Sequence, residues 1–91
     1  MKLSDDKIWA NIECLLCKFK FEFVTEKEYK CISILNTHYK LVFDMSTYPW
    51  HCDVLQFSNK IYSGNPTGAV LCLNYLRNKD KEKVKQCTEN H

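Results

Sequence analysis

The stretch "FKFEFVTEKEYKCISILNTHYKLVFDM", residues 19–45, alternates apolar and polar side chains in three consecutive runs. A period of two is typical of β-strands that bury one face and expose the other. We predict strands over residues 18–24, 29–35 and 39–45, joined by "TEKE" and "NTH". Because consecutive strands with such short links pair in order, the stretch predicts an antiparallel meander.

Helical spacing precedes this meander. Ser4 is a favoured N-cap, and the two aspartates that follow it face the positive end of a helix dipole. Ile8, Ile12 and Leu16 then recur at intervals of four residues. We therefore predict a first helix that begins at Ser4 and buries this stripe.

Two further helices are predicted after the meander. Pro49 suits a first helical turn, because its missing N–H has no partner there in any case. The second helix is predicted over residues 50–63, with Gly64 as its stop and with apolar residues at helical spacing: Trp50, Val54, Phe57 and Ile61. Thr67 is predicted to cap the last helix, in which Val70, Leu73 and Arg77 share one face.

The resulting order, α-β-β-β-α-α, predicts a two-layer α+β domain with helices on one face of an antiparallel sheet of three or more strands. We expect Trp9, Trp50 and Phe57 to cover the buried sheet face. A chain of 91 residues is one domain with a modest core. We place that core at about residues 4–78, with a polar, frayed tail at 79–91.

Six cysteines make the redox state informative: Cys14, Cys17, Cys31, Cys52, Cys72 and Cys87. The N-terminal "MKLSDDKIW" is acidic where a secretory signal is apolar, so we expect an intracellular protein, nuclear or cytoplasmic, with reduced thiols. No run of residues approaches the roughly 18 apolar positions of a membrane span.

The pair in "CLLC", Cys14 and Cys17, has the spacing of half a zinc site. Such a site needs two more ligands, and the adjacent His51 and Cys52 diverge in a helix, so we expect no metal-binding residues and no cofactor. A small zinc-binding regulator remains an alternative. A cysteine nucleophile would need His38 or His51 beside it, and nothing in the spacing requires this. We therefore expect no catalytic residues and no enzyme.

The net charge of +2 and the absence of an aromatic platform beside "RNKDKEKVK" give little support to nucleic-acid binding. Tyrosines are favoured interface anchors, and basic residues can rim a groove. We expect a protein partner to dock between the last two helices or beside the sheet edge, at Lys60, Tyr62, Tyr75, Arg77 and Lys79. A viral or parasite-type effector that binds a host protein or nucleic acid is the alternative.

The succession of "KFKFEFV", "YKCISILN", "YKLVFDMSTYPW" and "LCLNYLRNK" resembles the RWD-like globular heads of outer-kinetochore subunits. The resemblance covers roughly residues 18–79. It implies an adaptor with a role in cell division that pairs with a related subunit, as a heterodimer or homodimer, and presents a groove to a peptide or helix. It agrees in kind with a non-catalytic protein-interaction module.

Overall fold

The computed structural model describes residues 3–89 of the chain, and the side chains of residues 3–80. Two helices and five strands make up the fold, and the α+β class predicted from the sequence is confirmed. The elements are α1 (Asp5–Lys18), β1 (Phe23–Glu26), β2 (Cys31–Ile34), β3 (Tyr39–Asp44), β4 (His51–Gln56), β5 (Asn59–Gly64) and α2 (Pro66–Glu89), with a single 3-10 turn at Lys27–Tyr29.

The five strands form one antiparallel meander in the order β1-β2-β3-β4-β5. A row of directly opposed residues crosses its centre, from Ile32 through Leu41 and Val54 to Tyr62. Because side chains alternate along a strand, this row marks the sheet face covered by the helices. The opposite face, called the outer face below, carries residues such as Val24, which pairs with β2.

The core lies between the helices and this inner sheet face. Trp9 of α1 packs edge-to-face against Phe43 of β3 and against Trp50, with ring centroids 5.1 and 5.2 Å apart. Such T-shaped contacts place the positive edge of one ring against the negative face of another. The prediction that Trp9 and Trp50 are buried over the sheet is confirmed. The same prediction for Phe57 is wrong, because this side chain is 67% exposed at the β4–β5 turn.

The first helix begins as predicted. The Ser4 side chain caps it by accepting a hydrogen bond from the Lys7 amide at 3.4 Å. Its last turn ends in a Schellman motif, in which the Lys20 amide donates to Cys17 and the Phe21 amide donates to Leu16. The helix therefore ends at Lys18, the first residue of the predicted strand, and its capping motif occupies the next residues through Phe21.

The predicted first strand, residues 18–24, is for that reason largely wrong. Lys18 is the last residue of α1, and Lys20 has a left-handed backbone with φ of 62°. Pairing begins only at Phe23 and continues through Glu26, into the predicted turn. The strands predicted at 29–35 and 39–45 are confirmed, each slightly shorter than expected.

The predicted helix over residues 50–63 is also wrong, because these residues form the β4–β5 hairpin. Pro49 lies before β4, after a cis peptide bond, and does not open a helix. Gly64 ends a strand and not a helix. The element order is therefore α-β-β-β-β-β-α, and the proposed docking place between two C-terminal helices does not exist.

The last helix begins one residue before Thr67 and is longer than expected. Asn65 caps it, since its side-chain oxygen accepts a hydrogen bond from the Gly68 amide at 2.7 Å, and Pro66 takes the first position. The helix continues through Glu89, past the predicted core boundary at position 78. Twenty-four residues give a helix of about 36 Å, longer than the sheet it crosses.

Candidate functional site

A groove of about 600 Å³ opens where α2 crosses the sheet end formed by the β2–β3 turn. The loop between α1 and β1 forms one wall, the β2–β3 turn the floor, and the middle of α2 the other wall. Its lining is mainly apolar, with four charged residues among the eleven: Lys20, Phe21, Glu22, Ile34, Leu35, Asn36, Thr37, Tyr39, Leu73, Arg77 and Asp80. A concave, mostly apolar site with a few polar groups is the usual form of a binding site.

Arg77 is the most firmly held charge in the groove. Its Nη2 donates to the backbone oxygen of Phe19 at 2.7 Å and to the side-chain oxygen of Asn74 at 2.8 Å. Its guanidinium carbon lies 4.0 Å from the centre of the Phe21 ring, within the range of a cation–π contact. These three contacts fix the orientation of the guanidinium.

None of these contacts neutralises the positive charge. Among residues 3–80, Arg77 has no carboxylate within ion-pair distance. Its Nε is buried without a hydrogen-bond partner, whereas Nη1 is not a buried atom and keeps two N–H groups for a ligand. A fixed guanidinium with free donors can bind a carboxylate or another planar anion.

The opposite side of the groove carries a weaker polar pair. The Tyr39 hydroxyl donates to Oδ2 of Asp80 at 3.4 Å. Burial first, and then the negative charge of Asp80, raises the pKa of Tyr39, so its hydroxyl stays protonated and remains a donor. Lys20 and Glu22 add one charge of each sign, and the lining therefore has no net charge.

The five residues predicted to bind a partner do not form one site. Arg77 alone lines the groove. Tyr75 is exposed on α2 with the Lys79 ammonium 5.9 Å from its ring centre. Tyr62 is half-buried under the first turn of α2, where its hydroxyl contacts Gly64 and Gly68. Lys60 lies on β5, where its ammonium group pairs with the Asp53 carboxylate at 3.6 Å.

The sequence reasoning missed the rest of the groove because no motif marks it. Leu35, Thr37 and Tyr39 belong to a strand end and a turn, and Phe21 was assigned to a strand. The one sequence signal for this site was the segment "LNTHY", which places an apolar leucine directly before a polar turn at the end of a predicted strand. Only the path of α2 over the sheet brings these residues to Arg77.

A second polar cluster, on the outer face, joins Ser63, His51 and Asp53. The Ser63 hydroxyl donates to Oδ1 of Asp53 at 2.8 Å and lies 2.6 Å from Nε2 of His51. The same Nε2 lies 3.1 Å from Asp53 Oδ1. With the Ser63 proton donated to Asp53, a hydrogen bond from His51 to this carboxylate is formed by the ring tautomer that carries its proton on Nε2.

That arrangement differs from a serine-hydrolase triad. There the histidine accepts the serine proton at one ring nitrogen while the aspartate holds the other nitrogen. Here both partners contact one nitrogen of His51, which leaves no base for Ser63. The cluster therefore acts as a surface hydrogen-bond network. Its main electrostatic effect is that the Ser63 hydrogen bond, followed by the charge of Lys60, lowers the pKa of Asp53.

The five cysteines whose side chains are described are free thiols: two are buried, two are exposed, and Cys72 is half-buried, where burial raises its pKa. Burial raises the pKa of Cys31, and raises that of Cys52 to about 12, so neither forms a thiolate near neutral pH. Cys14 and Cys17, in contrast, are exposed on α1. Cys87 lies outside the described side chains.

Searches against family models, curated proteins and solved structures returned no match for this chain. In the described part of the chain, neither helix combines the length and the apolar character needed to cross a bilayer.

Proposed function

We propose that this chain is a non-catalytic protein-interaction module that holds a segment of a partner protein in the groove beside Arg77. The observation that carries the proposal is the uncompensated guanidinium of Arg77, fixed at the wall of an apolar groove. Holding a charge this way costs solvation, and a bound anion would compensate that cost.

The chemistry of the groove indicates which segment fits. Apolar surface from Phe21 and Leu35 accepts a bulky aliphatic or aromatic side chain. A carboxylate near that anchor would accept a charge-assisted hydrogen bond from the free Nη1 group of Arg77. Since the groove has no net charge, selection depends on this local pairing and not on long-range attraction.

A kinetochore-type head paired with a related subunit, acting in the nucleus or cytoplasm, is a narrower form of the same proposal. It rests on the sequence resemblance alone.

Selection from a random peptide library on the immobilised chain tests the proposal. We expect enriched peptides to share a bulky apolar residue close to Asp, Glu or a free C-terminus. Arg77→Met keeps the aliphatic stem over Phe21 and should remove the preference for the acidic group. The matched control is Lys79→Met, since Lys79 lies on the same helix outside the groove lining.

The proposal fails if no peptide is enriched, or if Arg77→Met selects the same acidic peptides as the unchanged chain. Melting temperatures of both variants show whether a lost preference reflects lost folding. An acidic preference that depends on Lys79 would move the interface to the exposed face of α2.

A further inference from the structure

The exposed pair Cys14 and Cys17 has no role in the core or in the groove. Cysteine is among the residue types most often buried, and Cys31 and Cys52 follow that rule. Two exposed thiols three residues apart on one helix are therefore unusual. Nothing in the packing of α1, whose buried residues are Trp9, Ile12 and Leu16, requires them.

Helix geometry places both thiols on one face. Side chains at i and i+3 have Cβ atoms about 5–6 Å apart. Tetrahedral zinc binds thiolate sulfur at about 2.3 Å, which puts two ligand sulfurs roughly 3.8 Å apart. Rotation about the Cα–Cβ bonds can bring the two sulfurs to that separation without unwinding the helix.

The same face of α1 is open to a second helix. Ala10, one turn before Cys14, is exposed and carries only a methyl group. Lys7 and Lys18 are exposed at the two ends of this surface. A small residue permits close approach, and the lysines offset the negative charge that thiolates bring.

The chain does not complete the ligand set within residues 3–80. No group of three or more histidine, cysteine, aspartate or glutamate side chains there is arranged to hold a metal ion. A structural zinc site needs four ligands. Two copies of the pair, related by a two-fold axis, supply four thiolates, and such isologous contacts are the commonest in homodimers.

We propose that Cys14 and Cys17 of two copies of this chain bind one zinc ion between them, so that α1 packs against α1 in a zinc-dependent homodimer. Four thiols lose four protons, and Zn²⁺ with four thiolates leaves a complex of charge −2. No oxidation or reduction is involved. Lys18 of each copy lies one helical turn after Cys14, on the same face, and would balance this charge. The site lies outside the lining of the groove and does not depend on the function proposed for it.

Light scattering and zinc analysis of the full chain test the proposal. The metal-free, reduced protein should be monomeric, and added zinc should give a dimer with one zinc ion per two chains. Cobalt(II) in place of zinc should give thiolate-to-metal charge-transfer absorption. Cys14→Ser and Cys17→Ser should each abolish the dimer and reduce the bound zinc to background, with melting temperatures of the metal-free proteins unchanged.

Two other cysteines serve as controls. Cys72→Ser, on α2, and Cys87→Ser should keep both the zinc and the dimer. Loss of zinc in Cys87→Ser would overturn the proposal, since it would place a ligand in the C-terminal segment. A monomer that holds one zinc per chain, or a dimer that persists in Cys14→Ser without zinc, would overturn it as well.

Discussion

Lys20 is the residue at which local backbone geometry and sequence disagree most clearly. It occupies the position after the C-cap of α1 with φ of 62°, where glycine is the usual residue. A Cβ atom makes this conformation unfavourable, and glycine removes that penalty. We expect urea unfolding to show that Lys20→Gly stabilises the fold by about 0.5–1 kcal/mol, because relief of a left-handed penalty of roughly 1–2 kcal/mol is partly offset by the extra chain entropy of glycine. A loss of stability would mean that α1 does not end in this motif.

Phe43 and Phe21 look equivalent in the sequence but not in the structure. Phe43 is 3% exposed and contacts both tryptophans, whereas Phe21 is half-buried beneath Arg77. Truncating a buried phenylalanine costs about 3–5 kcal/mol. We expect Phe43→Ala to fall in that range and Phe21→Ala to cost clearly less. Equal losses of unfolding free energy would show that Phe21 is as central as the alternating pattern suggested.

Ionisation of Asp53 makes the free energy of unfolding depend on pH under acidic conditions. Its folded pKa lies below the ordinary value of 3.8, mainly because Ser63 donates to the carboxylate. A depressed pKa contributes stability that is present above the unfolded value and is lost as the pH falls through the folded one. Ser63→Ala should raise the pKa of Asp53 and flatten the decline in unfolding free energy below about pH 4. If the pH dependence of the unfolding free energy is the same in Ser63→Ala, the hydrogen bond from Ser63 is not the cause of the lowered pKa of Asp53.

At the scale of elements, the β4–β5 hairpin shows why a pattern can mislead. The spacing of four between Trp50 and Val54 fits a helix, but four is also twice the period of a strand. Trp50, Cys52 and Val54 are all buried, and only a strand puts every second residue on one face. The turn was hidden as well, since Phe57 takes a left-handed backbone and stacks on His38 at 4.2 Å instead of entering the core.

Backbone chemical shifts decide between these two structures for residues 51–64. We expect extended values over His51–Gln56 and Asn59–Gly64, with slow amide exchange along β4, which is paired on both sides. Helical values would contradict the sheet order reported above. Val54 is the most informative position, because it pairs with Tyr62 next to a register shift.

Elements with local signals were predictable. Ser4 and the stripe after it predict α1, and the alternation after Tyr29 predicts β2 and β3. The boundary between α1 and β1 was not predictable in this way, because Phe19, Phe21 and Phe23 alternate whether or not they pair. Their actual positions depend on the Schellman motif at Lys20, which lacks its usual glycine.

At the scale of the whole molecule, the groove depends on tertiary placement. Arg77 was one of three basic residues predicted at an interface, but its partners Phe19 and Phe21 are more than fifty residues away in the sequence. Tyr75 and Lys79 share its helix and face elsewhere. A sequence pattern predicts which face of a helix or strand is buried. A site formed between two elements can be predicted only when the way in which they pack across each other is known.

Leu35 offers the most direct measure of the central claim that the groove holds a partner segment. It is 43% exposed in the groove, and Val24 is 46% exposed on the outer face, so the two form a matched pair. The affinity of a library-selected peptide should be measured by calorimetry for Leu35→Ala and Val24→Ala. We expect Leu35→Ala to weaken binding about tenfold, since losing part of a buried apolar contact costs about 1–2 kcal/mol, and Val24→Ala to leave it unchanged. Equal affinities for the two variants, at unchanged melting temperatures, would contradict the account.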